Sequence, residues 1–400
     1  MPPVEEGRFS TEGSVHLDAV RGAAALVVVL GHTRSLYFSS VASNAPKSDM
    51  AATTQIVQST VTPASTDDVK ITIGNEAVMI FFVLSGFLVG GSVIKSLNKR
   101  RWSWKDYMAK RLTRLWVVLI PALLLGCLID HVGIKLFSGQ QSIYAAPPRQ
   151  LIVVGDPALH LGARVWLGNA LFTQGVLVEN YGVNESLWSL AYEFWYYLLF
   201  PMLALAVLAR AGVAMRLVWG ALAIGVGYFV GIEIMKLFPV WILGAGVAAL
   251  PTIFSGKMAK RLAMVTAGMM VVALPLVRRA PVGIYTAEWG VAIVAACLIY
   301  LIKHLTEQRR HDWYAGVSGF FSRISYTLYL VHLPLAVFAC GVLNRPWHVW
   351  AKTGTNLSIW IAMNGVLIGA SYLFYLAFEA NTDVVRKMAM NESKRPRVEA

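Results

Sequence analysis

Ten long apolar runs constrain this chain more than any other feature; they lie at about 17–38, 73–94, 115–137, 186–209, 217–232, 237–254, 262–277, 287–303, 321–343 and 356–378. A helix needs roughly 17–25 apolar residues to cross a ~30 Å hydrocarbon core, and in lipid the backbone must satisfy its own polar groups. Little sequence is left over for an aqueous domain. Composition agrees, since of 400 residues 56% are hydrophobic and 14% charged, where soluble domains carry about 25% charged. The chain is therefore all-α, a polytopic membrane helical bundle of about ten transmembrane helices. A shorter apolar segment, WLGNALFTQGVLV at 166–178, is read as a re-entrant or surface helix.

Charge sets the orientation. If 166–178 does not cross, the loop 95–114 faces the cytoplasm with Lys95, Lys99, Arg100, Arg101, Lys105, Lys110, Arg111 and Arg114. Arg210 and Arg216, Lys257, Lys260 and Arg261, Arg309 and Arg310, and the tail from Arg386 to Arg397 join it there, as the positive-inside rule requires. Only Arg278 and Arg279 fall on the wrong side, and the stretches 39–72 and 138–185 lie outside. The reading is a cytoplasmic segment 1–16, a membrane domain 17–378 and a basic cytoplasmic tail 379–400, with both termini inside. The first residues lack the basic n-region of a signal peptide, so the first helix is expected to be retained. The net charge of +13 is then largely topological and calls for no nucleic-acid partner. Cys127, Cys297 and Cys340 lie in apolar runs without metal-ligand spacing and read as small buried residues; no metal is expected.

Against this background the ionisable residues inside the spans stand out, because such groups mark functional sites in membranes. Arg21 and His32 share the first span, eleven residues and ~16 Å apart on nearly one face, with the arginine near the cytoplasmic end. Glu193 enters from outside on LWSLAYEFWYYLLFP and reaches the depth of His32, roughly 10 Å below the surface. His332, in ISYTLYLVHLPL with Tyr326, reaches mid-membrane. Taken singly, each has an ordinary explanation. Arg21 can snorkel, His32 can be a satisfied interior histidine, Glu193 can pair with a neighbour in an aromatic belt, and His332 can bond a carbonyl freed by Pro334. Agreement of depth on three helices is what joins them. Arg111 and Arg114, an i, i+3 pair before the third span, are either further positive-inside charges or a fork for phosphates.

These stretches resemble the acyltransferase 3 family of bacterial integral-membrane acyltransferases. The matching residues are LDAVRGAAALVVVLGH at 17–32, FFVLSGFLVG at 81–90, RLTR at 111–114, NESLWSLAYEFWYYLLFP at 184–201, ISYTLYLVHLPL at 324–335, and the pair Phe378 and Glu379. They occur in family order over nearly the whole chain. Met79 stands where many members carry Asp, and the proline that usually follows RxxR closely comes only at Pro121.

The resemblance implies an O-acyltransferase of the bacterial inner membrane that moves an acyl group, usually acetyl, from cytoplasmic acyl-CoA to a hydroxyl of a cell-surface or exported carbohydrate. Acyl-CoA is then a donor substrate rather than a bound cofactor, and the partners are that donor, the carbohydrate acceptor and membrane lipid. His32 matches the essential histidine and acts as base or transient acyl carrier; Glu193 would orient or charge-balance it. Arg21, Arg111 and Arg114 would bind the donor. His332, Tyr326 and Ser85 support the site, with Ser85 read as a packing residue between Gly86 and its helix neighbours rather than a nucleophile. Two other readings compete: a proton-coupled transporter or exporter, which uses the same buried residues but lacks here an inverted repeat, and a membrane partner that presents substrate to another enzyme.

Overall fold

The computed structural model describes residues 10–38, 74–137, 139, 142–145, 156–208, 212–277, 284–309 and 312–390. The expected outer loop 39–72, the stretch 146–155, Arg278 and Arg279, and the end of the tail lie outside the described residues.

Every apolar run becomes helix. α1 spans Glu12–Phe38, α2 Gly74–Ser85, α3 Gly91–Asn98, α4 Trp104–Leu136, α5 Ala163–Ala170 and α6 Leu187–Leu208. α7 then spans Val213–Ala249, α8 Gly256–Val277, α9 Ile284–Ile302, α10 Trp313–Leu343, α11 Gly354–Ala377 and α12 Thr382–Ala389. Among the described residues, seven helical segments are long and apolar enough to cross a membrane. One of these, α7, carries two of the apolar runs and is broken at Gly231, whose φ of 79° is not helical; α8 and α9 carry two more. Among the described residues there is one pair of short strands, β1 (Ser10–Thr11) and β2 (Gln308–Arg309), which pair antiparallel. Large apolar side chains such as Leu124 and Leu128 on α4 and Ile224 on α7 are exposed. In lipid that costs nothing, whereas in water such a surface would aggregate.

The segment 166–178 does not cross. α5 has eight residues, about 12 Å of helix, and the chain then turns back. Trp116 and Trp195 donate from Nε1 to the Ala170 and Phe172 carbonyls at 2.8 and 2.9 Å, and Gln174 donates to the Leu187 carbonyl at 2.8 Å. These bonds tie the short element to α4 and α6.

Helix ends are finished by side chains. Ser103, Asp312 and Thr353 accept backbone N–H bonds at the starts of α4, α10 and α11. Lys303 donates to the Val247, Ala248 and Leu250 carbonyls at the end of α7, placing a cation at a helix C-terminus.

Between α2 and α3 the ladder loosens into a π turn, Gly86–Gly90, a device that recurs at functional sites. Here α7 lies almost on the backbone: a Cβ at Gly86 would stand 1.9 Å from the Trp241 carbonyl oxygen, and one at Gly90 2.5 Å from the Ala245 Cβ. Those glycines are what let the two helices meet.

α1 packs along α10, and both reach the same end of the bundle as α12. Near that end Glu12 accepts from Lys260 at 2.7 Å and lies 3.6 Å from His16, pinning the start of α1 to α8. Among the described residues the start of the first helix and the last helix thus share one end of the bundle. The segment read from sequence as a tail beginning at 379 is, up to residue 390, folded structure: a turn over Glu379–Asn381 followed by α12, which packs on α4.

Candidate active site

Two polar groups form the site, one above the other along the bundle. The first is a cavity of about 630 Å³ opening at the end that holds the start of α1. Arg21 from α1, Lys110, Arg111 and Arg114 from α4, Arg323 from α10 and Arg386 from α12 line it, as do Asp18, Glu193, Glu379 and Asp383. The carboxylates are engaged locally. Asp18 accepts from the Ser322 hydroxyl at 2.6 Å, Glu193 from the hydroxyls of Ser85 at 2.7 Å and of Tyr197, Glu379 from the Thr327 hydroxyl at 2.6 Å and its N–H at 3.2 Å, and Asp383 from Arg386 at 3.1 Å. Among the described residues Arg21, Arg111 and Arg114 make no ion pair, and the Nε of Arg111 is buried without an acceptor. Arg111 lies 5.8 Å from the ring centres of both Tyr107 and Tyr197, which hold the guanidinium in place. Six cationic side chains against four carboxylates leave the cavity lining net positive.

Toward its deep end the cavity turns aromatic, with Phe81, Phe82 and Tyr329. There the hydroxyls of Ser189 and Tyr329 are 2.7 Å apart. Tyr326, also on the wall, spends its hydroxyl on the Leu115 carbonyl at 3.0 Å, tying α10 to α4. Proline positions supply further ties. Pro201 leaves the Tyr197 carbonyl without its helical partner and the Tyr107 hydroxyl takes it at 3.0 Å; Pro334 does the same to Leu330, whose carbonyl accepts from Asn184 at 2.9 Å.

The second group begins one turn beyond Tyr329, about 4.5 Å along the axis. His332 is fully buried, and its Nδ1 lies 2.8 and 3.0 Å from the Tyr329 and Leu328 carbonyls. Carbonyls only accept, so this nitrogen carries the proton and Nε2 holds a lone pair. His32 Nδ1 sits 2.8 Å from that Nε2, with the two ring planes within 17° of parallel and their centres 5.1 Å apart. Its proton must therefore lie on Nδ1, which leaves Nε2 of His32 without a hydrogen-bond partner among the described residues. That atom faces the first residue of α2, where a Cβ on Gly74 would stand 3.0 Å away. The chain of bonds fixes one tautomer of one imidazole and puts its lone pair on Nε2.

Several sequence readings change here. Arg21, Arg111 and Arg114 do come together, on one cavity. His32 and His332 do meet. Glu193 does not touch His32; it lines the cavity in a cluster in which Ser85 donates to it and in turn accepts from Trp241 Nε1 at 3.1 Å. Ser85 is thus a hydrogen-bonding member of the cavity wall as well as a packing residue. His332 bonds the carbonyls one turn below itself, those of Leu328 and Tyr329, rather than the Leu330 carbonyl that Pro334 frees. Cys340 is buried, but Cys297 is exposed and Cys127 only half-buried. Ser189, Tyr197, Trp241 and Tyr329 had no distinguishing signal beyond an aromatic-rich run. Asp18 had one, its i, i+3 spacing from Arg21.

Fold and site together define a multi-pass membrane protein with an arginine-lined cavity and, beyond it, a buried histidine pair. The acyltransferase 3 family model, described as an acyltransferase domain, matches residues 15–376. The chain belongs to the acyltransferase 3 family. It is also similar to an uncharacterized protein of Haemophilus influenzae, 28% identical over 126 residues, which is 31% of this chain and 46% of that protein. The chain thus spans about half the length of that relative. No solved structure matches.

Proposed function

We propose that this protein is an integral-membrane O-acyltransferase that takes an acyl group, acetyl in the simplest case, from acyl-CoA in the basic cavity. It delivers that group to a carbohydrate hydroxyl arriving from the opposite, Gly74 end of the bundle. The observation that carries the reading is the bare Nε2 of His32, fixed by His332 beyond the floor of an anion cavity. The uncommitted guanidiniums of Arg21, Arg111 and Arg114 suit the donor phosphates, which bind guanidinium in bidentate fashion. The neutral aromatic floor suits the thioester arm. With the cavity end cytoplasmic, as the loop charges require, the donor comes from inside and the acceptor from outside the bacterial inner membrane.

In the reaction the acceptor O–H gives its proton to His32 Nε2 while its oxygen forms a bond to the thioester carbonyl carbon. The tetrahedral intermediate then breaks its C–S bond, and the proton passes from His32 to the departing thiolate. An ester and free CoA result, so no redox partner or further reactant is needed. His332 accepts the Nδ1 proton of His32 throughout and holds the ring in place.

His32→Ala is expected to abolish acetyl transfer from acetyl-CoA to the surface glycan while the purified protein unfolds at an unchanged temperature. Near-normal turnover in that variant overturns the mechanism. Thermal stabilisation of the parent protein by CoA separates this reading from a proton-coupled transporter, which has no cause to respond.

A further inference from the structure

The family match ends at residue 376, yet the cavity wall continues past it: Ala380, Thr382, Asp383 and Arg386 all line the cavity. They stand on the turn after α11 and on α12, which packs against α4, the helix that carries Arg111 and Arg114. Among the described residues the Arg386 side chain pairs only with Asp383, one turn earlier on the same helix, at 3.1 Å, and the Asp383 side chain is 74% exposed. A pair so open to water is weak and is screened by salt. It holds the guanidinium over the cavity without committing it. Glu379, by contrast, is held by Thr327 through one carboxylate oxygen, which accepts both the hydroxyl and the N–H. The cavity is therefore polarised along its length, aromatic and neutral at Phe81 and Tyr329, and cationic where α4 and α12 face each other.

We propose, resting on the CoA reading above, that Arg386 is a phosphate ligand of the donor and that α12 forms one wall of the donor site. When the nucleotide enters, Arg386 exchanges the Asp383 carboxylate for a phosphoryl oxygen. Arg111 and Arg114 grip the same end of the ligand from across the cavity. Donor affinity in this chain then depends on a C-terminal element outside the family domain.

The test measures equilibrium binding of CoA and of pantetheine to the full-length purified protein; pantetheine has the same thiol arm and no phosphate. Arg386→Ala is expected to weaken CoA roughly tenfold, the loss of one charge-assisted bond, and to leave pantetheine unchanged. Arg386→Lys keeps part of the affinity, because the charge remains and the fork is lost. Asp383→Asn, which releases the guanidinium, binds CoA at least as tightly as the parent. Unaltered CoA affinity in Arg386→Ala, an equal loss for CoA and pantetheine, or weaker CoA binding in Asp383→Asn overturns the proposal. A parent protein that binds no CoA overturns the donor assignment as well, so the two failures are distinguishable.

Discussion

Nδ1 of His32 lies 2.8 Å from Nε2 of His332, although 300 residues separate the two in sequence. α1 and α10 are the most extensively packed helix pair in the bundle, and the contact delivers these two imidazoles to each other in register. Because the far nitrogen of His332 already serves the Leu328 and Tyr329 carbonyls, the pair has one direction of proton bonding. The consequence is a lone pair on His32 Nε2.

Removing His332 is therefore expected to slow transfer without releasing the donor. In His332→Ala the His32 ring loses its acceptor and its fixed tautomer, and kcat falls by about 10²–10⁴, the range for a disabled general base. KM for acetyl-CoA stays within about twofold, since no phosphate ligand is touched. Initial-rate kinetics in detergent or nanodiscs would check this. A variant with an unchanged kcat would show that the pair is structural.

Arg111→Ala and Arg114→Ala act on the other side of the site. Each removes a guanidinium that has no carboxylate to serve, so the donor loses a charge-assisted bond of about 1.5–3 kcal/mol, or roughly ten- to hundredfold in apparent donor KM. Arg111→Lys recovers only part, because its Nε and its stacking on Tyr107 and Tyr197 are not replaced. A change confined to acceptor KM would contradict the placement of the donor.

Glu193 separates two roles cleanly. In Glu193→Ala the hydroxyls of Ser85 and Tyr197 lose their shared acceptor, at a cost of about 1–3 kcal/mol of stability. Glu193→Gln keeps the acceptor oxygen and recovers most of that loss. Since Glu193 does not contact His32, the pH–rate profile of Glu193→Gln should match the parent. A displaced acid limb in that variant would restore Glu193 as the partner of the imidazole.

Gly86→Ala tests the packing under the site. With Trp241 O only 1.9 Å from the new methyl, α2 and α7 must part, at a cost of 1–3 kcal/mol or more. Trp241 then no longer reaches Ser85. The expected result is a lower unfolding temperature together with weakened CoA stabilisation, where a purely peripheral contact would lower the first alone.

By itself the sequence located the long apolar helices, and the loop charges and the 1.5 Å rise per residue set an expected orientation and an expected depth for His32, Glu193 and His332. It also showed that 166–178 was too short to span. Rotation about the axis was not legible, because it is decided by which neighbouring helix comes near, and that depends on close approaches such as Gly86 to Trp241. For that reason depth alone suggested Glu193 as the partner of His32, whereas packing of α1 on α10 supplied His332 and turned Glu193 toward Ser85 and Tyr197. Packing likewise carried Arg386 back over the cavity from a segment that reads, in one dimension, as a basic tail. Tertiary structure decided which buried charges meet, since a membrane interior leaves them no solvent to turn to and each must find a protein partner or a ligand.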